Sequence, residues 1–248
     1  MRIEVGCFKC FFDDPSPHNI VPQSILEIND EDVYYTICDL GHKQATVVQG
    51  FRFEFLFELG CYAYIDGYYR EAITCFHAAL ERFYEFYIRV HAIHKGINEK
   101  EIEKFWKVVC NQSERQFGAY LICYLSDRAC SAPVLSDASV KLRNAVVHKG
   151  KIPTKLQAMK FGEQVLEILS PQIDFIKRER KSSLGKLTML SQIEKHKKVD
   201  TEYTPVFLAN STAMCMAVDA GSEPFKNLNA LIEHLTKRAK RFNLAKSG

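Results

Sequence analysis

The chain has 248 residues, 47% of them hydrophobic and 25% charged, with 33 Lys and Arg against 30 Asp and Glu. Such a length suits one large domain or two to three small ones, and this composition excludes a wholly disordered or fibrous chain. A net charge of +3 is too small to name a partner by itself.

The charge is unevenly spread. Residues 1–50 carry three basic and eight acidic residues, residues 51–180 carry 19 and 16, and residues 181–248 carry 11 and 6. An acidic head, a near-neutral middle and a basic tail predict three units at these boundaries. In the head, Pro15, Pro17 and Pro22 break any helix. Ser24–Ile28 and Asp32–Ile37 have strand character around the turn residues Asn29 and Asp30, and Ala45–Val48 is a candidate third strand.

From Phe51 the pattern changes. Phe51, Phe53, Phe55 and Phe57 alternate, but Phe51, Phe55, Leu59 and Tyr62 also fall on one helical face. Helix is favoured, because no turn signal appears before Asp66 and Gly67. Tyr68–His94 is the strongest helix. Ala72, Cys75, Phe76, Ala79, Leu80, Phe83, Phe86, Tyr87 and Val90 recur at three- and four-residue steps, and Lys95-Gly96 ends it. Asn98 starts the next helix, with Glu101 at the capping-box position, and this one is expected to reach Leu125. Ser136 or Asp137 caps a short helix to His148, stopped by Gly150. Pro153 fits the first turn of another, with Pro171 as a kink. Residues 51–180 therefore read as a bundle of about five helices. In the tail, Thr204–Leu208 is a candidate strand and Leu228–Phe242 an amphipathic helix. The predicted fold class is mainly α, with a small β module at the head and a basic α+β tail.

Two motifs carry chemistry. Cys7-x-x-Cys10 and Cys38-x-x-x-His42, separated by 27 residues of β-like sequence, supply four ligands for tetrahedral Zn²⁺. A zinc-ribbon-like module of this size would draw much of its folding free energy from the metal. Four protein ligands leave no open position, so the zinc is expected to be structural, and His18 is the rival to His42 as fourth ligand. Cys61, Cys75, Cys110, Cys123, Cys130 and Cys215 stand singly, as core or free thiols. With an odd total of nine cysteines, the chain reads as one of a reducing, cytoplasmic compartment. Met1–Cys10 lacks the apolar core of a secretory signal, and no run of about 18 uninterrupted apolar residues predicts a membrane span.

The second motif is Arg143-Asn144-Ala145-Val146-Val147-His148. On a helix, Asn144 and His148 lie one turn apart, and Arg143 lies about 140° round from His148 at about 100° per residue. Imidazole can accept or donate a proton near neutral pH, and a guanidinium can stabilise charge on phosphoryl oxygens. RNA brings its own nucleophile, the 2′-OH. The bland alternative is a histidine that only complements the C-terminal dipole of its helix.

Arg-Asn-x-x-x-His ending a short helix, followed by Gly and a Pro-started helix, resembles the HEPN superfamily (higher eukaryotes and prokaryotes nucleotide-binding domains). The run Glu71-Ala72-Ile73 through Ala78-Ala79-Leu80-Glu81-Arg82-Phe83 resembles that family's long second helix. The resemblance covers roughly residues 55–178, and head and tail lie outside it. It implies a helical bundle that dimerises, with two such motifs facing each other as one metal-independent endoribonuclease site. Arg143, Asn144 and His148 match the family's Arg, polar residue and His, and Glu81 or Glu85 matches a supporting acid. The resemblance further implies antiphage defence or toxicity, RNA as substrate and a homodimer through the Arg143–His148 face. A regulating protein is expected as well, since an unrestrained ribonuclease would harm its host.

Basic residues near the motif and in the tail are candidate RNA contacts: Lys149 and Lys151, the Lys177, Arg178, Arg180, Lys181 cluster, Lys195 with Lys197 and Lys198, and Lys237–Arg241. Two other readings stand beside the ribonuclease. One is a non-catalytic dimerising scaffold or nucleic-acid-binding module. The other is a nucleotidyl-transfer role, weakest because the chain has no P-loop and no Gly-rich phosphate fingerprint.

Overall fold

A computed structural model describes residues 1–14, 24–209, 212–214, 216 and 227–244 of the chain. The rival ligand His18, Cys215 and the side chains of Lys240 and Arg241 lie outside the described residues. The fold is mainly helical with a small β part, and it divides into two compact units. Residues 1–50 and 188–211 form one, and residues 51–187 and 212–248 the other. The segment 181–248 therefore forms no unit of its own and is shared between both. The physical reason is that its strand and its helix each find a different hydrophobic partner. Among the described residues no helix is long and apolar enough to cross a membrane.

In the first unit, β1 (Arg2–Val5) pairs antiparallel with β2 (Ser24–Glu27), and α1 (Phe8–Asp13) follows β1. β3 (Val33–Ile37) pairs antiparallel with β4 (Lys43–Val48), and β5 (Thr204–Leu208) joins β4 in parallel. Thr46 stands opposite Tyr34 on one side and Val206 on the other. A small core of Val33, Ala45 and Val47 is covered by Val199 and Tyr203. The Tyr35 hydroxyl donates to the Lys198 carbonyl (3.0 Å) and accepts from the Asp200 N–H (3.1 Å), so the returning chain is fastened to β3.

In the second unit, α2 (Arg52–Ile65), α3 (Tyr69–His94), α4 (Glu99–Val109), α5 (Ser113–Arg128), α6 (Asp137–Lys149) and α7 (Lys155–Glu179) make a bundle. α9 (Leu228–Leu244) adds Leu228, Leu231 and Leu235 to its core. α8 (Lys181–His196) begins in this unit and ends in the other. α3 packs against α2, α5, α6 and α7 and is the axis of the bundle. Every expected core residue of α3 is buried except Cys75, which is half-buried.

Three details differ from the sequence expectation. The helix expected from Asn98 to Leu125 is two, because the chain turns at Cys110–Gln112 and the Gln116 side chain donates to the Cys110 carbonyl (2.6 Å). Pro153 precedes the N-cap instead of entering the first turn. Thr154 caps α7, with its hydroxyl accepting from the Gln157 N–H and the Gln157 side chain accepting from the Thr154 N–H. The buried face of α2 carries Phe53, Phe57 and Cys61 together with Glu54 and Glu58, so Phe55 and Leu59 lie at its margin.

Those two glutamates fasten the later part of the chain. Glu54 Oε1 accepts from the Phe51 N–H (3.0 Å) and Oε2 from the Thr212 hydroxyl (2.7 Å). Glu58 accepts from the Ala213 N–H (2.8 Å) and from Arg238 of α9 (3.0 Å). Burial pushes the Glu54 carboxyl up to about 7 against these donors, and it also raises Glu58 in spite of Arg238. A raised carboxyl prefers its proton in the folded state, so the unfolded state ionises first and stability falls as pH rises from about 4.5 through about 7. The loss is on the order of 3 kcal/mol. Denaturant unfolding at about pH 5 and pH 8 should therefore show a less stable protein at the higher pH, and Glu54→Gln should flatten this difference. Equal pH dependence in wild type and variant would remove Glu54 as its source.

Candidate functional site

The metal motif sits on two short loops of the first unit. Cys7 is the N-cap of α1 and Cys10 lies in the first turn of that helix. Cys38 and His42 flank the β3–β4 turn, where the Gly41 N–H donates to the Cys38 carbonyl (2.8 Å) and the Cys38 N–H to the His42 carbonyl (3.2 Å). Gly41 holds this turn with φ of +78°, a left-handed conformation that glycine adopts without a Cβ penalty. The ligand atoms of Cys7, Cys10, Cys38 and His42 all lie within 4.8 Å of one another. His42 Nδ1 is 3.7 Å from Cys7 Sγ and 3.3 Å from Cys10 Sγ, and Cys10 Sγ is 3.7 Å from Cys38 Sγ. A tetrahedral zinc with ordinary bond lengths separates two sulfurs by about 3.8 Å and a sulfur and a nitrogen by about 3.6 Å. The cluster thus has the size of a metal shell and can bind an ion.

Its electrostatics point the same way. Burial, with the neighbouring Cys7 and Cys38 thiols, pushes Cys10 up to about 12. Burial also acts against ionisation of Cys38, but backbone hydrogen bonds from His42 and Leu40 outweigh it and lower that thiol. Three thiols this close cannot all ionise unless a cation joins them. Gln44 is a residue that motif reading missed. It is 4% exposed, its Oε1 accepts from the Phe8 N–H (2.9 Å), and its Nε2 donates to the Gly6 carbonyl (3.1 Å) and the Thr46 hydroxyl (3.0 Å). It ties the loop carrying Cys7 to β4 independently of metal. A polar residue inside a strand that is otherwise buried is the one signal that could have found it.

The Arg–Asn–His motif lies on α6 of the second unit. Ser136 caps this helix, accepting from the Ser139 N–H (3.3 Å), and Gly150 ends it with φ of +67°. Val146 is fully buried and Leu142 packs on the core, which orients the helix. Arg143 and Asn144 are then half-buried and His148 is exposed in the last turn. Val140 and Val147 lie between Arg143 and His148 on the wheel and are exposed. Of the two candidate acids on α3, Glu81 is the one whose carboxyl feels the charge of Arg143 on this helix. It lies 3.3 Å from His77 Nε2, and its carboxyl is held below the usual range by that contact, by the charge of His77 and then by Arg143. Glu85 is engaged elsewhere, by Arg82 (3.0 Å) and Arg89 (3.1 Å).

The candidate RNA contacts divide sharply. Lys149, Lys151 and Arg178 are exposed. Arg180, by contrast, turns into the bundle. Its Nη2 donates to Asp127 (2.7 Å), its guanidinium lies 4.8 Å from the Phe175 ring centre, and its side chain is 16% exposed. In the Lys195–Lys198 cluster, Lys195 is held, donating to the Val48 carbonyl (2.8 Å), whereas Lys197 and Lys198 are exposed and make surface pairs with Glu194 and Asp32. Arg180 and Lys195 are structural cations, each half-buried beside an acceptor within the fold.

Comparison with protein-family models, with curated proteins and with solved structures gives no match.

Asp127 is 3% exposed and also accepts from Tyr87 (3.1 Å). Removing Arg180 leaves that buried carboxylate with the Tyr87 hydroxyl and the His91 ring (3.6 Å) but without its guanidinium, so Arg180→Ala should destabilise the chain by about 3 kcal/mol. Arg178→Ala, at an exposed site, should cost less than about 0.5 kcal/mol. Denaturant titration of both variants checks this, and equal costs would make Arg180 a surface residue.

Proposed function

We propose that the helical unit is a metal-independent endoribonuclease working through Arg143, Asn144 and His148, and that Cys7, Cys10, Cys38 and His42 hold a structural zinc ion. The observation that carries the first part is the exposed face of α6. A half-buried arginine stands at one edge, an exposed histidine at the other, and Val140 and Val147 between them. Ile152 and Leu156, 83% and 63% exposed, extend the apolar surface just beyond the helix. Apolar side chains bracketed by catalytic types favour a second copy of this chain as the cover, which brings two Arg–His pairs to one site.

In this reaction the RNA 2′-oxygen attacks the adjacent phosphorus and the bond from phosphorus to the 5′-oxygen breaks. His148 of one copy takes the 2′-hydroxyl proton, and that of the second copy protonates the leaving 5′-oxygen. Arg143 stabilises the charge on the non-bridging oxygens, and Asn144 positions the phosphate or the imidazole. The products are a 2′,3′-cyclic phosphate and a 5′-hydroxyl. A role in antiviral defence or as a toxin rests on the resemblance to the HEPN superfamily. The same apolar face also suits a dimerising scaffold without turnover, which is the second reading.

The test is total RNA incubated with wild type, Arg143→Ala and His148→Ala, with and without EDTA. Cleavage by wild type alone, surviving EDTA, is the expected result, with each variant slower by about 10²-fold or more. Cleavage that survives both substitutions overturns the assignment. Binding without turnover moves the protein to the scaffold reading.

Zinc in the head would cross-link the loop of α1 to the β3–β4 turn. The purified protein should hold about one zinc per chain. Chelation should melt the first unit, whose core is small, while most of the helical circular dichroism persists. A metal-free protein with an unchanged melting profile would dismiss the ion.

A further inference from the structure

A cluster outside both sequence motifs stands where the last turns of α3 and α5 meet. Ser126 of α5 is exposed, and its Oγ lies 3.3 Å from Nε2 of His91 on α3. The other ring nitrogen of His91, Nδ1, lies 3.6 Å from Oδ1 of Asp127, with the two side chains 11% and 3% exposed. That nitrogen is buried without a hydrogen-bond partner among the described residues, and the acid beside it is held fast by Arg180 (2.7 Å) and Tyr87 (3.1 Å). A hydroxyl, an imidazole and a buried carboxylate in this succession have the roles of nucleophile, base and orienting acid, which are recognised by geometry and not by order in the chain. Burial, with Lys95 and His94 acting in the same sense, holds the imidazole below its ordinary value against the attraction of Asp127, so it is neutral and able to accept a proton at neutral pH. The Ser126 hydroxyl also has the Cys123 carbonyl of its own helix within reach (3.2 Å), but only the imidazole can carry its proton away. Ile122, one turn before Ser126, and Leu125 are 61% and 49% exposed, so apolar surface lies beside the hydroxyl.

We propose that Ser126, His91 and Asp127 form a second, hydrolytic site for carboxylic esters with an apolar acyl group. Ser126 Oγ attacks the ester carbonyl carbon while its proton passes to His91 Nε2. The bond from that carbon to the alcohol oxygen breaks, and the alcohol leaves with the proton from Nε2. Water then attacks the acyl-serine, giving a proton to Nε2, and the carboxylic acid departs as that proton returns to Oγ. One ester and one water are consumed, and one acid and one alcohol are released. Asp127 takes no proton; it is a positioning residue that keeps a hydrogen on Nδ1 and so leaves the Nε2 lone pair toward Ser126. Ile122 and Leu125 supply the surface on which the acyl chain rests. The site is independent of Arg143 and His148 and stands whether or not the helical unit cleaves RNA.

The experiment uses the full chain as wild type, Ser126→Ala and His91→Gln, each checked by its melting curve. An alkyl fluorophosphonate is the first probe: Oγ bonds to its phosphorus, fluoride leaves, and the hydroxyl proton passes to His91. Peptide mapping should place the label on Ser126 in wild type, find none there in Ser126→Ala, and show labelling about 10²-fold slower in His91→Gln. p-Nitrophenyl butyrate and acetate are the second probes. Wild type should release p-nitrophenolate well above the rate of Ser126→Ala, and faster from the butyrate, whose chain reaches Ile122 and Leu125. Long-range ¹⁵N–¹H imidazole spectra of wild type should show the His91 proton on Nδ1, and this readout decides the role of His91 even where His91→Gln fails to fold. A folded wild type left unlabelled at Ser126 overturns the proposal, as does labelling that His91→Gln does not slow. So does a His91 proton found on Nε2, or ester turnover no greater than that of Ser126→Ala. Equal rates on the two esters overturn the apolar acyl assignment.

Discussion

The helical unit is built around one side chain, Phe76 of α3, held in a slot between two glycines. A Cβ placed on Gly60 of α2 would meet the Phe76 ring at 2.6 Å, and one on Gly162 of α7 would meet its other edge at 2.6 Å and Leu228 of α9 at 2.7 Å. Neither glycine is there for its backbone freedom; both are there because anything larger would push a helix away. The ring therefore sets how closely α2 and α7 approach α3, and it does so where α9 also reaches the core.

The two units solve the same stability problem with different means. The helical unit buries a large aromatic core, with Phe53, Phe57, Phe83, Tyr87 and Tyr120 almost wholly enclosed. It can bear the cost of burying Glu54, Glu58 and Asp127, each matched by donors from a distant part of the chain. Among the described residues the β unit buries aliphatic side chains such as Ile3, Val5, Leu26, Val33 and Val47 but no aromatic ring, and its loops are joined by Gln44 and by the Cys–His cluster. A bound ion is most valuable in the unit that has least hydrophobic area to spare.

Much of this was legible in the sequence where one period dominated. α3 announces itself because Ala72, Phe76, Ala79, Leu80 and Phe83 repeat at helical steps with no competing pattern, and all are buried. The Cys–His cluster is legible because ligand spacing is a local property. The pattern of α2 specifies a helix but not its buried face, since buried Glu54 and Glu58 count as polar in any pattern and only their distant donors make burial tolerable. The break at Cys110–Gln112 carries no Gly or Pro; a side-chain bond from Gln116 makes it. Arg180 looked like one of a run of surface cations, and only the fold shows Asp127, 53 residues away, waiting for it. Residues that are defined by a remote partner were the ones that local reasoning could not place.

The parallel pairing of β4 with β5 has a kinetic meaning. Val47 lies opposite Phe207, so the sheet of the first unit needs two stretches of chain separated by the whole of residues 51–187. During vectorial synthesis the head emerges long before its third strand exists. One edge of β4 must wait for its partner until residues 204–208 have been made. The cysteine-bearing loops, all within the first 42 residues, are complete at that early stage. An ion captured there would hold the nascent hairpin in register through the interval, making the metal a guardian of the folding route as much as a support of the finished sheet.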